Sequence, residues 1–382
     1  MLNGMNINKF ISDRCELIDG TAINKVTRLA TENSQLVNLA VGQPDFKISH
    51  VVKESAISAI RDDKNTYSSA YGISALRKQV LLYHQVFGPS FLYNNIDCVI
   101  TCGVTAGLSL ALATCLDAGD DLLISDPYFQ QYSEIIKLFS INPVFIDTYP
   151  DFHLTADKIK NAITPRTKGI IINSPGNPTG AVIGSEEMNK IQALVEEKDI
   201  LIFYDNIYSN FDYTGAQASI ELSDHVIYLN GFSKSYAMTG WRIGYVVAHE
   251  RFVERIARVQ SQLYDAPPTP LQYAAVEALK SKQDIQHYKE YNQRIAYINN
   301  ELHPAYKLNQ GQGAFYVFPF VPNKFESSAT DFCAHALSRN LLLVPGKAFS
   351  NIDTNFRLSI CANFETIQKG TSILNEIAQA LY

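Results

Sequence analysis

The chain of 382 residues lacks any basic run interleaved with aromatics, any Cys-x-x-Cys pair, and any apolar stretch near the ~18 residues a membrane span needs. Each absence removes a class of protein. With 32 basic against 38 acidic residues the formal charge is −6, so nothing marks a nucleic-acid surface. The opening MLNGMNINKFISDRCEL has no basic segment leading into an apolar one and no Arg-rich amphipathic pattern. No targeting leader is read there, and a cytoplasmic location is expected. Cys15, Cys98, Cys102, Cys115, Cys333 and Cys361 lie apart among mostly apolar neighbours, as structural thiols of a reducing compartment do. The 8 histidines show no ligand spacing, and no metal site is expected.

What is present is an ordinary globular composition, 46% hydrophobic, long enough for two domains. Between about residues 97 and 247, CVITCG, DLLISD, NPVFID, GIIIN, ILIFY, HVIYLN and RIGYVV alternate with helix-like segments. Near-continuous apolar runs of this kind suit strands buried on both faces, so the fold class is α/β, a seven-stranded mostly parallel sheet flanked by helices. The last third reads as a smaller α+β domain: the polar-periodic helix QDIQHYKEYNQRIAYINNELH, the short strands GAFYVFP, LLLVP and FRLSI, then a final helix.

Ligands of parallel sheets bind beyond the carboxyl ends of the strands, and here those ends carry unusual loops. GIIIN leads into SPGNPTG with Asn177; ILIFY into DNIY with Asp205 and Tyr208; HVIYLN into GFSKSYAMTGWR with Ser233, Lys234 and Arg242. CVITCG runs into an apolar helix whose first amides, at Val104 and Thr105, are free to bind an anion such as phosphate. The Thr105 and Ser233 hydroxyls and Arg242 complete that cup. Singly, a lysine is usually solvated and an aspartate after a strand usually caps a turn. Together they suggest a lysine whose amine is desolvated near a cation and joins an aldehyde as an imine. Pyridoxal 5'-phosphate supplies the aldehyde, the phosphate, and a pyridine nitrogen that needs a carboxylate, for which Asp205 is the candidate. Phe129, in DPYFQQY, can stack on its ring. Trp241, the chain's one tryptophan, is read as packing behind the lysine loop.

The sequence resembles the class I/II aminotransferases, pyridoxal-phosphate enzymes of fold type I. SKSYAMTGWRIG, NSPGNPTG, DNIY, YSSAYGISALR, GQPDF, GAFYVFP, PG followed by F, and FRLSI all fall in that family's order, nearly end to end. The resemblance implies that Lys234 holds the cofactor as an imine and then moves a proton between substrate and cofactor. It implies that Asp205 pairs with the pyridinium, and that Tyr208 and Asn177 bond the ring oxygen. Arg357 in FRLSI would grip the substrate α-carboxylate, helped by Asn177 and the Gly42 backbone, and Tyr67 would reach the phosphate of a second subunit in a homodimer. The partners implied are an L-amino acid and a 2-oxo acid, reacting in two half-reactions. Domain limits of 48–275 for the large domain, with 1–47 folding back onto 276–382, follow the resemblance as much as the composition.

Three features depart from the family. DNIY has Asn206 where relatives commonly have glutamate, CGVTAG offers fewer phosphate donors, and SNIDTNFR lacks a glycine before the arginine. No extra cation for a distal carboxylate can be placed. Asp19, Tyr264 and Asp265 instead suggest an acidic rim that favours a basic side chain; the alternative is that both aspartates only cap turns. The same scaffold also serves lyases, cyclases and replacement enzymes, which differ in the fate of the intermediate. A ligand sensor fused to a helix-turn-helix module is the remaining alternative; no such module is expected ahead of the catalytic segment, and Lys234 and Asp205 are both present.

Overall fold

The computed structural model describes residues 7–18, 21–33, 35–87, 90–91, 95–215, 220–281, 285–309 and 311–382. All seven expected strands join one sheet: β1 (Ile96–Thr101), β2 (Asp121–Asp126), β3 (Asn142–Asp147), β4 (Thr167–Asn173), β5 (Leu201–Asp205), β6 (Val226–Gly231) and β7 (Gly244–His249). Their order across the sheet is β1-β7-β6-β5-β4-β2-β3. Only β7 runs antiparallel to its neighbours, β1 and β6.

The continuous apolar runs have the expected cause. Ile170, Ile172, Ile202 and Tyr204 face one core with Val52, Leu76 and Ala274 from the helices below. Their alternates Ile171 and Phe203 face another core, with Leu108, Ile136 and Ile256 from the helices above. Both faces are therefore dry. Trp241 lies at the edge of the first core, packed behind the lysine loop.

The helix α1 (Val104–Cys115) is apolar nearly all round and enters the sheet through Gly103, whose φ of 84° favours glycine. Gly244 lies opposite both Thr101 and Gly231. A Cβ there would stand 2.6 Å from the Gly103 carbonyl carbon and 2.7 Å from the Val104 nitrogen. Glycine at 244 is what lets the amino end of α1 sit against the sheet.

Beyond residue 280, the helix α2 (Ile285–Glu301) matches the polar-periodic segment, and β8 (Tyr316–Val317), β9 (Val344–Pro345) and β10 (Phe356–Ser359) form a sheet in the order β8-β10-β9. LLLVP is not the single strand its composition suggests. Leu341–Leu342 pairs in parallel with Val37–Asn38, whereas Val344 and Pro345 pair antiparallel with Arg357 and Phe356. The break at Leu343 lets one short segment serve two sheets. A separate core, with Leu39, Tyr291, Phe315, Phe332, Phe356 and Leu374, holds these parts together.

Gly244→Ala should cost about 1–3 kcal/mol of stability, because the added carbon meets backbone that has no rotamer to give. Chemical denaturation measures this; an unchanged midpoint would mean that the amino end of α1 yields freely.

Candidate active site

Five strand ends and the small sheet converge on one cavity of 350 Å³. Of the residues expected above to hold the cofactor or the substrate α-carboxylate, all but Tyr67 line it: Gly42, Val104, Thr105, Phe129, Asn177, Asp205, Tyr208, Ser233, Lys234, Arg242 and Arg357. Tyr67 is 84% exposed and stays outside this chain's own cavity.

Lys234 follows β6 and points its Nζ at the Gly42 carbonyl, 2.8 Å away, with the rings of Phe315 and Tyr208 at 5.6 and 5.9 Å. Burial, reinforced by Arg357 and Arg242, lowers its ammonium to about 8. An amine is thus within reach of neutrality near physiological pH. Asp205, at the end of the adjacent β5, is 5% exposed and accepts from the Tyr132 hydroxyl at 2.7 Å and the Ile207 amide at 3.1 Å. Burial raises its carboxyl to about 6, while those two donors and Lys234 pull it back down.

Arg357, on β10, is 4% exposed and sandwiched, with Cζ 4.4 Å from the Tyr316 ring and 4.7 Å from that of Phe349. It donates to Asn177 Oδ1 at 3.0 Å and to the Ala40 carbonyl at 2.7 Å. Its Nε is buried with no protein partner among the described residues, a donor that an anion would satisfy. Two residues along the same strand, Ser359 donates to the Val41 carbonyl at 3.0 Å. The carbonyls of Ala40, Val41 and Gly42 are thereby held in succession by Arg357, Ser359 and Lys234.

At the other end of the cavity the amides of α1 face Arg242, and a Cβ on Gly103 would collide with the Arg242 guanidinium. Arg242 here rests on the carbonyls of Thr239 (3.1 Å) and Cys102 (3.4 Å). The Thr105 hydroxyl, expected to face an anion, donates instead to Gln131 at 3.1 Å.

Sequence reasoning missed Tyr132, which follows Phe129 by three residues and meets it edge-on at 5.5 Å. It also missed Ile207, an apolar wall next to Asp205, and Tyr316, whose ring flanks Arg357 and whose hydroxyl lies 3.4 Å from that of Tyr208. The helical offset from Phe129 was the available signal for Tyr132. Among the described residues the acidic rim is not assembled: Tyr264 and Asp265 are exposed and absent from the cavity wall, and Asp19 lies outside the described residues.

The donor set suits pyridoxal 5'-phosphate. A carboxylate that burial pushes toward neutrality is stabilised as an anion by a pyridinium, the helix amides with Ser233 and Arg242 suit a dianion, and Phe129 and Ile207 offer apolar walls to a flat ring. A desolvated lysine and such a carboxylate at neighbouring strand ends of a doubly covered sheet define the pyridoxal-phosphate enzymes of this architecture.

The chain belongs to the family "Aminotransferase class I and II", whose model matches residues 34–370. It is 32% identical over 378 residues to a probable aspartate aminotransferase of Methanocaldococcus jannaschii, covering 96% of this chain and 99% of that protein. It is 31% identical over 386 residues to aromatic-amino-acid aminotransferase 2 of Thermococcus litoralis, covering 96% and 98%. Among solved structures it is similar to the Thermus thermophilus aspartate aminotransferase with maleate, at a TM-score of 0.90, 28% identity and coverage of 96% and 99%. The activity is accordingly that of a pyridoxal-phosphate-dependent transaminase.

Tyr132→Phe removes a hydrogen bond that holds the Asp205 carboxyl down, so that group should titrate above its present value of about 6. Carboxyl-carbon NMR of the cofactor-free protein measures this, and a downward shift would contradict the assignment.

Proposed function

We propose that this cavity binds pyridoxal 5'-phosphate and moves the α-amino group of an L-amino acid to a 2-oxo acid, with Lys234 as the proton carrier. The observation that carries the reading is the convergence of desolvated Lys234, buried Asp205 and the incompletely paired Arg357 on one cavity. When bound, the cofactor supplies an electron sink for the carbanion at the substrate's α-carbon. The chain's own residues do the rest. Asp205, oriented by Tyr132, keeps a positive charge favourable at its carboxylate, and Arg357 holds the α-carboxylate with two prongs, a contact lysine cannot copy. Asn177 fixes the Arg357 fork, and Tyr208 and Asn177 offer polar hydrogens to the ring oxygen. Val104, Thr105, Ser233 and Arg242 hold the phosphate, and Gly42 keeps the lysine amine aimed while it exchanges a proton.

The exposure of Tyr67, with Ile57, Ile60, Leu263 and Tyr264 also exposed, supports a homodimer in which Tyr67 completes the site of the second subunit. We take 48–275 as the large domain, and 1–47 with 276–382 as the small one, which the pairing of Val37–Asn38 with Leu341–Leu342 supports. No helix among the described residues is long and apolar enough to cross a membrane, in keeping with the cytoplasmic location we propose.

Among the described residues of this chain, Lys234, Arg242 and Arg357 are the cations of the wall, and each already has a task. We therefore propose a donor without a second carboxylate, with a basic side chain favoured if Asp265 of a second subunit reaches the rim. The relatives' names span aspartate, aromatic amino acids and N-acetyl-LL-diaminopimelate, so the family leaves this choice open.

Arg357→Ala should raise KM for the donor and lower kcat/KM by about 2 kcal/mol or more, through loss of a charge-assisted bidentate contact. An unchanged KM would place carboxylate binding elsewhere. Offered arginine, lysine, alanine and aspartate, the holoenzyme should convert aspartate slowest, followed by its absorbance change. Fastest conversion of aspartate would discard the donor proposal, and release of ammonia in place of amino transfer to an added 2-oxo acid would favour a lyase.

A further inference from the structure

Directly after Asp205 comes Asn206, 8% exposed, with no place in the cavity wall. Both ends of its amide are used. Nδ2 donates to the Ser174 carbonyl at 2.6 Å and to the Tyr204 hydroxyl at 3.2 Å, while Oδ1 accepts from the Tyr228 hydroxyl at 2.8 Å. Tyr228 in turn accepts from Asn230 at 3.0 Å, and Tyr204, Tyr228 and Asn230 are all nearly inaccessible. The Asn206 backbone amide extends the β5 ladder by donating to Leu229 at 3.0 Å. Asn206 is thus fixed at both main chain and side chain.

Ser174 opens the loop that carries Asn177. That loop is fastened to the end of β5 at two points: Asn173 Nδ2 to the Asp205 carbonyl at 2.9 Å, and Asn206 Nδ2 to the Ser174 carbonyl. Asn173 also accepts from the Asn177 amide at 2.9 Å, and Asn177 Oδ1 receives Arg357. A run of hydrogen bonds and main chain leads from Asn206 through Ser174, its neighbour Asn173 and Asn177 to the guanidinium. We infer that Asn206 is a positioning residue that sets the Ser174–Asn177 loop and, through it, the orientation of Arg357 toward the substrate carboxylate. The inference rests on the role proposed for Arg357.

The chemical requirement at position 206 is a donor toward Ser174 together with an acceptor toward Tyr228. An amide meets it at every pH; an ionised carboxylate keeps only the acceptor and turns a negative oxygen toward a carbonyl. A protonated carboxyl again offers one donor. The titratable groups around the position are Tyr204 and Tyr228, with hydroxyls that burial pushes up, Tyr83, which acts on Tyr228, Asp205 next in the chain, Asp212, whose charge acts on Tyr204, and His84. His84 has its ring 5.0 Å from that of Tyr228, and burial lowers it to about 3, so it stays neutral. Tyr204, Tyr228 and His84 hold one protonation state across the assay range, and Tyr83, Asp205 and Asp212 are common to wild type and variant. A new ionisation at position 206, together with any shift it imposes on Asp205 beside it, is therefore read in the ratio of the two.

The test compares wild-type holoenzyme with Asn206→Asp and Asn206→Ala for cofactor absorbance, kcat and donor KM across pH. In Asn206→Asp the donor KM should rise about tenfold near pH 8, where the buried carboxyl is ionised, and return toward the wild-type value as pH falls and the donor is restored. Asn206→Ala should raise KM by a similar factor at every pH, with cofactor absorbance retained in both variants. An unchanged KM in Asn206→Ala, or a KM ratio for Asn206→Asp that is flat with pH, overturns the inference. If Asn206→Asp does not fold, Asn206→Ala alone decides; if neither folds, Tyr228→Phe does, with raised KM in support and unchanged KM against. Absence of transaminase activity in the wild type would instead refute the reading of the site itself.

Discussion

Desolvation of the Lys234 ammonium is the constraint around which the site is built. A lysine in water keeps its proton and is a poor nucleophile. Here the side chain is drawn off solvent between Tyr208 and Phe315, with two guanidinium groups acting on it and the Gly42 carbonyl as acceptor. Asp205 is buried by the same walls and shifts in the opposite direction. One dry enclosure thus weakens an acid and a base together; a cationic heterocycle beside them would stabilise the carboxylate and favour the lysine as a neutral amine.

The sheet makes that enclosure possible. Strands covered on both faces leave their ends as the place where polar side chains can gather without sinking into the core. Gly244 and Gly231 thin the sheet where β7 reverses direction, which brings the amino end of α1 close enough to present its amides to the same cavity. Against three cations the described wall places one carboxylate, an excess of positive charge that suits the phosphate of a cofactor and the carboxylate of a substrate.

The strands and strand-end residues were legible because short apolar runs and their trailing loops are local in sequence. GIIIN with Asn177, ILIFY with Asp205 and HVIYLN with Lys234 needed only the rule that ligands sit at carboxyl ends. Less legible was what depends on how loops cross. Tyr132 reaches Asp205 because the chain turns after β2 into a helix, and nothing in FQQY alone specifies that target. LLLVP was misread as one strand because composition does not reveal that two sheets compete for it. Asn206 stood out in the sequence only as a departure from a glutamate motif. Its meaning emerges only once Ser174, Tyr204 and Tyr228 surround it.

The three carbonyls of Ala40, Val41 and Gly42 give the small sheet and the lysine loop a shared ruler. Because Arg357 and Ser359 alternate along one face of β10 while Lys234 comes from β6, the spacing of those peptide groups fixes how far the two halves of the molecule stand apart. A single residue inserted between positions 40 and 42 would leave every residue of the cavity wall in the sequence and still put the Lys234 amine and the Arg357 guanidinium out of step.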